Sequence, residues 1–126
     1  MYTTGNTAGT QAIGSVQFAL AYMNISVFVV LGHTRCGAIK TVVNNAREEG
    51  YLDRCYDPIR QAGALLEHPV NKYRDPVREW TIANVRHAAD TFLKTNPLLA
   101  RNVSKRRIAL MEGVYDVESG VVTWLD

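Results

Sequence analysis

Apolar and polar positions follow two rhythms along this chain. Between Gln11 and Met23, Ile13, Val16, Leu20 and Met23 recur at helical spacing and predict a helix that Asn24 stops. Gly14 weakens that helix slightly. Ile25 to Leu31 reads Ile-Ser-Val-Phe-Val-Val-Leu, β-branched and almost continuously apolar. Such a run marks a strand buried on both faces, as in a parallel sheet, and Gly32 is expected to end it. A second helix is expected from about Cys36 to Glu48, closed by Gly50. Asp57-Pro58 and Asp75-Pro76 both carry a helix-start signal, Asp as N-cap and Pro at the first position. The first of these helices should reach about Glu67. The second carries Val77, Trp80, Val85, Ala88, Ala89 and Phe92 on one side and reaches about Lys94. Asn96-Pro97 breaks it, and Leu98 to Val103 adds a short helical turn. Arg107 to Val117 then reads as a strand, Glu118-Ser119-Gly120 as a turn, and Val121 to Leu125 as its hairpin partner. The order predicts a single α/β domain over residues 1–126 with a small sheet.

Composition narrows the picture little. Of 126 residues, 47% are hydrophobic and 21% charged, enough apolar material for one core. A net charge of +2 is too mild for a nucleic-acid partner, and Lys105-Arg106-Arg107 reads as a solvated lead into a strand. No run reaches the length of a membrane span, and Met1 to Gly5 lacks the pattern of a signal peptide. Cys36 and Cys55 are too few for a disulfide scaffold, so reduced thiols and a cytoplasmic location are expected.

The chemistry gathers where the apolar strand gives way to a helix, at Gly32-His33-Thr34-Arg35-Cys36-Gly37. Ligands in open α/β sheets bind beyond the carboxyl ends of strands. Across a tight turn, His33 and Cys36 can converge on one point, and imidazole nitrogen and thiolate sulfur both suit Zn²⁺. A helix starting at Cys36 would favour its thiolate. On spacing alone, the same residues also fit a polar turn with a hydrogen-bonded histidine and a buried cysteine.

The wider context resembles the β-class carbonic anhydrases. Their metal-binding strand and turn, Gly-His-Ser/Thr-x-Cys-Gly-Ala/Gly, is similar to Gly32-His33-Thr34-Arg35-Cys36-Gly37-Ala38 after Val29-Val30-Leu31. Gly5-Asn6 looks like the end of the family's Arg-Asn-Ala-Gly-Asn segment, and Ser15 to Ala19 like the pattern of the helix that follows it. Asn84-Val85 matches an Asn-Val on a long helix. Gly113-Val114-Tyr115-Asp116 through Ser119-Gly120-Val121-Val122 is similar to the closing hairpin.

The resemblance implies a β-carbonic-anhydrase-like fold: a small, mainly parallel sheet, flanking helices and a C-terminal hairpin. It implies a zinc lyase that hydrates CO₂ reversibly to bicarbonate. His33 and Cys36 match two of its three protein ligands. The remaining cysteine, with an Asp–Arg dyad that orients the zinc-bound water, belongs to a Cys-x-Asp-x-Arg segment preceding the matched residues. The N-terminal strands of the family are therefore expected to be missing here, which puts zinc affinity and catalysis in question. Three repairs stay open. Cys55-Tyr56-Asp57-Pro58-Ile59-Arg60 loosely resembles that segment, so Cys55 is a candidate third ligand, with Asp57 and Arg60 as the dyad. The plainer alternative makes Asp57 a helix cap, Arg60 a solvated cation and Cys55 a loop thiol. Two copies could instead share a closed, structural Cys₂His₂ zinc, or another polypeptide could supply the segment. A non-catalytic dimerising or binding module is the competing function. An apolar strand with a bare edge invites pairing, so a homo-oligomer, most simply a C₂ dimer, is expected.

Overall fold

The computed structural model describes residues 4–44 and 53–126, with the side chains of residues 53–55 excepted. Helix α1 spans Thr10–Tyr22, close to its predicted range. Strand β1 spans Val27–His33. It pairs in parallel with β2, Ala109–Tyr115, over seven residues, and β2 pairs antiparallel with β3, Val122–Trp124. The sheet order is β1-β2-β3, a mixed α/β sheet whose longer ladder is the parallel one.

Gly32 does not end β1, as the sequence suggested. The ladder continues through Gly32 opposite Val114 to His33 opposite Tyr115. The glycine serves a different need: a Cβ at Gly32 would lie 2.6 Å from Val85 Cγ2 and 3.2 Å from Thr81 Cγ2. A helix therefore crosses β1 at that point more closely than a side chain would allow. That helix is α4, Pro76–Thr95, with Asp75 as the predicted N-cap accepting from the Arg78 backbone N–H at 3.1 Å.

Val30, Val85, Ala88, Ala89 and Phe92 form the main core with Ala12 and Val16 of α1. Leu99 of α5, Pro97–Ser104, closes its far end. Helix α2 covers Gly37–Val43 and ends at Asn44; the expected continuation to Glu48 and Gly50 lies outside the described residues.

Helix α3 departs from prediction at both ends. It covers Asp53–Gly63, so Pro58 sits inside it and Asp57 is not its cap. An interior proline loses a backbone hydrogen bond and crowds the preceding turn, at about 3 kcal/mol. What sustains the helix across it is a buried stripe at helical spacing, Tyr56, Ile59 and Ala62. Gly63 ends it, well short of Glu67, where the chain meets the Trp80 ring so closely that a Cβ would overlap it.

Among the described residues, helices cover only one face of the sheet. Side chains alternate between faces along a strand, and the ladder sets Val27, Val29 and Leu31 beside Ala109, Met111 and Gly113. The apolar residues of that set are exposed, Val27 by 50%, and Trp124 of β3 joins them. The strand predicted to be buried on both faces is thus buried on one. The other edge of β1 has no neighbouring strand among the described residues. A groove of about 540 Å³ runs there, between β1 and α1.

Candidate metal centre

The β1–α2 turn is shaped by one unusual residue. Arg35 adopts φ +57°, in the left-handed region, and lets the chain reverse between strand and helix within Thr34 and Arg35. His33 is the last residue of β1 and is half-buried. By strand alternation it shares the face of Val29 and Leu31, the face without helices. Cys36 is the N-cap of α2, 4% exposed, and its side chain makes no capping hydrogen bond. It packs with Ile39 of α2 and Ile59 of α3.

The turn is anchored on both flanks. On one side, the Thr34 backbone N–H donates to the Tyr115 carbonyl at 2.9 Å. The Thr34 hydroxyl accepts from Val117 N–H at 3.1 Å and donates to Asp116 Oδ1 at 3.3 Å. Asp116 in turn accepts from Glu118 N–H at 2.9 Å and from the Ser119 hydroxyl at 3.0 Å. These donors, the Glu118 amide first, hold its carboxyl below the ordinary carboxylate range. Arg35 pairs with Glu118 across the same gap. On the other side, buried Asn84 of α4 donates through Nδ2 to the Gly5 carbonyl at 2.6 Å. Gly5 itself adopts φ +67°, and a Cβ there would meet Ile59 Cδ1 at 2.6 Å. Segments far apart in sequence, around Gly5, His33, Ile59, Asn84 and Asp116, therefore assemble about one turn. Spacing in the sequence did not mark Thr34 or Asp116 as organisers of the site. A hydroxyl directly after the histidine and an Asp before a Ser-Gly turn were the available signals.

The remaining candidates lie on α3. Asp57 and Arg60 bond to each other at 2.9 Å, one turn apart, and the Arg60 guanidinium lies 5.7 Å from the centre of the Tyr56 ring. Arg60 is thus a paired side chain, and Asp57 its partner, in place of the cap and solvated cation of the plainer alternative. Cys55 is in the first turn of the helix and its side chain is outside the described residues. His33 and Cys36 thus provide an imidazole and a thiol not engaged in capping, a donor pair that suits zinc. Among the described residues, no group of three or more His, Cys, Asp or Glu is gathered for a metal. None of the described helices is long and apolar enough to cross a membrane.

A family model described as carbonic anhydrase matches residues 2–122. The chain belongs to the β-carbonic anhydrase family. A carbonic anhydrase of Pseudomonas aeruginosa is 31% identical over 122 residues, covering 89% of this chain and 52% of that protein. One from Synechococcus elongatus is 28% identical over 112 residues, covering 86% and 41%. The chain thus spans about half the length of the curated relatives it matches. Among solved structures, a β-carbonic anhydrase of Aspergillus fumigatus superposes with a TM-score of 0.87 at 21% identity, over all of this chain and 62% of that one. A tetrameric β-carbonic anhydrase of Sordaria macrospora superposes with a TM-score of 0.81 at 20% identity, over 97% and 64%. These likenesses agree with the small α/β sheet and flanking helices described above.

Proposed function

We propose that the chain carries part of a zinc site for reversible hydration of CO₂ to bicarbonate, with His33 and Cys36 as two of the metal's protein donors. Family membership supports the reaction. The observation that carries the site is the turn itself: an imidazole and an uncapping thiol at the carboxyl end of a parallel strand, fastened by Thr34 and Asp116. Zinc, when bound, lowers the pKa of water to about 7, which provides the nucleophile at neutral pH. The chain's own residues do the rest. The bonds from Thr34 fix the turn, and Ile39 and Ile59 keep water from the thiol side of Cys36.

Catalytic zinc normally has three protein donors and one open position, so a third donor is needed. Cys55, whose backbone lies in the first turn of α3, is the donor this chain offers, the alternatives being a second copy or another polypeptide. In this reading Asp57 and Arg60 stay available as the dyad. We further propose that the chain works as a homo-oligomer, most simply a C₂ dimer, because the helix-free sheet face exposes Val27, Val29, Leu31, Met111 and Trp124.

The test is metal analysis of protein purified without added zinc, paired with stopped-flow CO₂ hydration. About one zinc per chain with activity, both lost in Cys36→Ser and Cys55→Ser, supports the proposal. Zinc retained in Cys55→Ser moves the third donor elsewhere. Half a zinc per chain without activity means a structural metal shared by two copies. Neither zinc nor activity leaves a non-catalytic binding module.

A further inference from the structure

On the helix-covered side of the β1–α2 turn lies a second cavity, of about 280 Å³. Three cationic residues from three separate elements line it: Arg35 of the turn, Lys40 of α2 and Arg78 in the first turn of α4. Against them stands one carboxylate in the lining, Asp75, which already accepts the Arg78 backbone N–H at 3.1 Å. Arg35 is paired with Glu118, whereas Lys40 and Arg78 have no ion-pair partner among the described residues. The floor is different in character. Val114 is buried, Val77 is half-buried, and the Thr81 hydroxyl is turned back onto the Val77 carbonyl at 2.7 Å. A cationic rim over an apolar floor selects against both neutral hydrocarbons and bare inorganic ions. The first lack the charge, and the second cannot use the floor.

We propose that this cavity binds a small organic carboxylate, its apolar body against Val77 and Val114 and its carboxylate between Lys40 and Arg78. It needs none of the zinc donors, so it stands or falls independently of the metal reading. Arg35, at the rim, keeps its pairing with Glu118, one of the ties between the turn and the hairpin.

The test is a methyl NMR titration of the whole chain with benzoate, with and without prior treatment by a chelator. Saturable shifts of the Val77, Thr81 and Val114 methyls in both samples, with a Kd of roughly 1 mM, support the proposal. The double variant Lys40→Gln/Arg78→Gln changes two exposed side chains, and a thermal melt checks that it stays folded. It should bind benzoate about tenfold more weakly, the loss of two charge-assisted contacts. Arg101→Gln, on α5, should bind like the parent. No saturable shift at these methyls, or a double variant within about twofold of the parent, overturns the site. Inorganic phosphate or benzyl alcohol binding as tightly as benzoate overturns the ligand class. Shifts that vanish after chelation assign the benzoate to the metal centre and overturn it also.

Discussion

The two borders of β1 differ sharply. At its carboxyl end, His33 to Cys36 is held by Thr34, Arg35 and α4, with bonds to residues about 80 positions away in the hairpin. Along its free edge no strand pairs with it among the described residues, and Val27, Val29 and Leu31 on its open face are exposed. The first border is fixed by this chain. The second has the character of a surface made for covering, because uncharged apolar strands with bare edges associate. The difference shows that the site's geometry and the molecule's assembly are separable properties, set by residues of opposite type on the same strand.

The largest expected effect breaks the closed border. Gly32→Ala forces a Cβ into Val85 and Thr81, and urea unfolding should show a loss of about 3 kcal/mol. A loss below about 0.5 kcal/mol would mean that α4 can retreat from β1. Asn84→Ala removes the bond to the Gly5 carbonyl and leaves a buried acceptor without it. A loss of about 2 kcal/mol is expected, with faster amide exchange around Gly5. Thr34→Val takes away the two bonds that the Thr34 hydroxyl makes to the hairpin and should cost about 1 kcal/mol.

The pH dependence is smaller and has a defined sign. The Asp116 carboxyl is held below its ordinary value of 3.8 in the folded chain. The unfolded state therefore takes up its proton first as pH falls. Its stabilising contribution is complete above the ordinary carboxylate range and is lost on acidification through the lower folded value. Asp116→Asn should flatten the stability profile below about pH 4, and an unchanged profile would remove Asp116 from the network. Val29→Lys tests the open border. It should alter folding by less than about 0.5 kcal/mol, while light scattering at micromolar concentration shows monomer in place of the oligomer. A parent chain that is already monomeric would refute the dimer.

Much of the architecture was legible in the sequence, because its signals are local. The 3.6-residue rhythm of α1 and α4, the Asp75 cap and the Ser119-Gly120 turn each act within a few residues. His33 and Cys36 were legible as a pair for the same reason, both flanking one turn. Where local signals competed with burial, burial prevailed. Asp57-Pro58 predicts a helix start, yet Tyr56, Ile59 and Ala62 bury one face of a helix that begins four residues earlier. Gly32 reads as a strand end, yet it is a close-approach residue inside the strand. The apolar run before it predicts burial on both faces, and here hydrophobicity states a preference that only neighbouring elements can satisfy.

By itself, then, the sequence determined which segments are helix and strand, and which imidazole and thiol lie beside one turn. It did so because those properties depend on residues close together along the chain. The tertiary structure decided what holds that turn, how far β1 runs and which of its faces stays open. Those depend on contacts between Gly5 and Asn84, Thr34 and Asp116, and Gly32 and Val85, which no spacing in the sequence encodes.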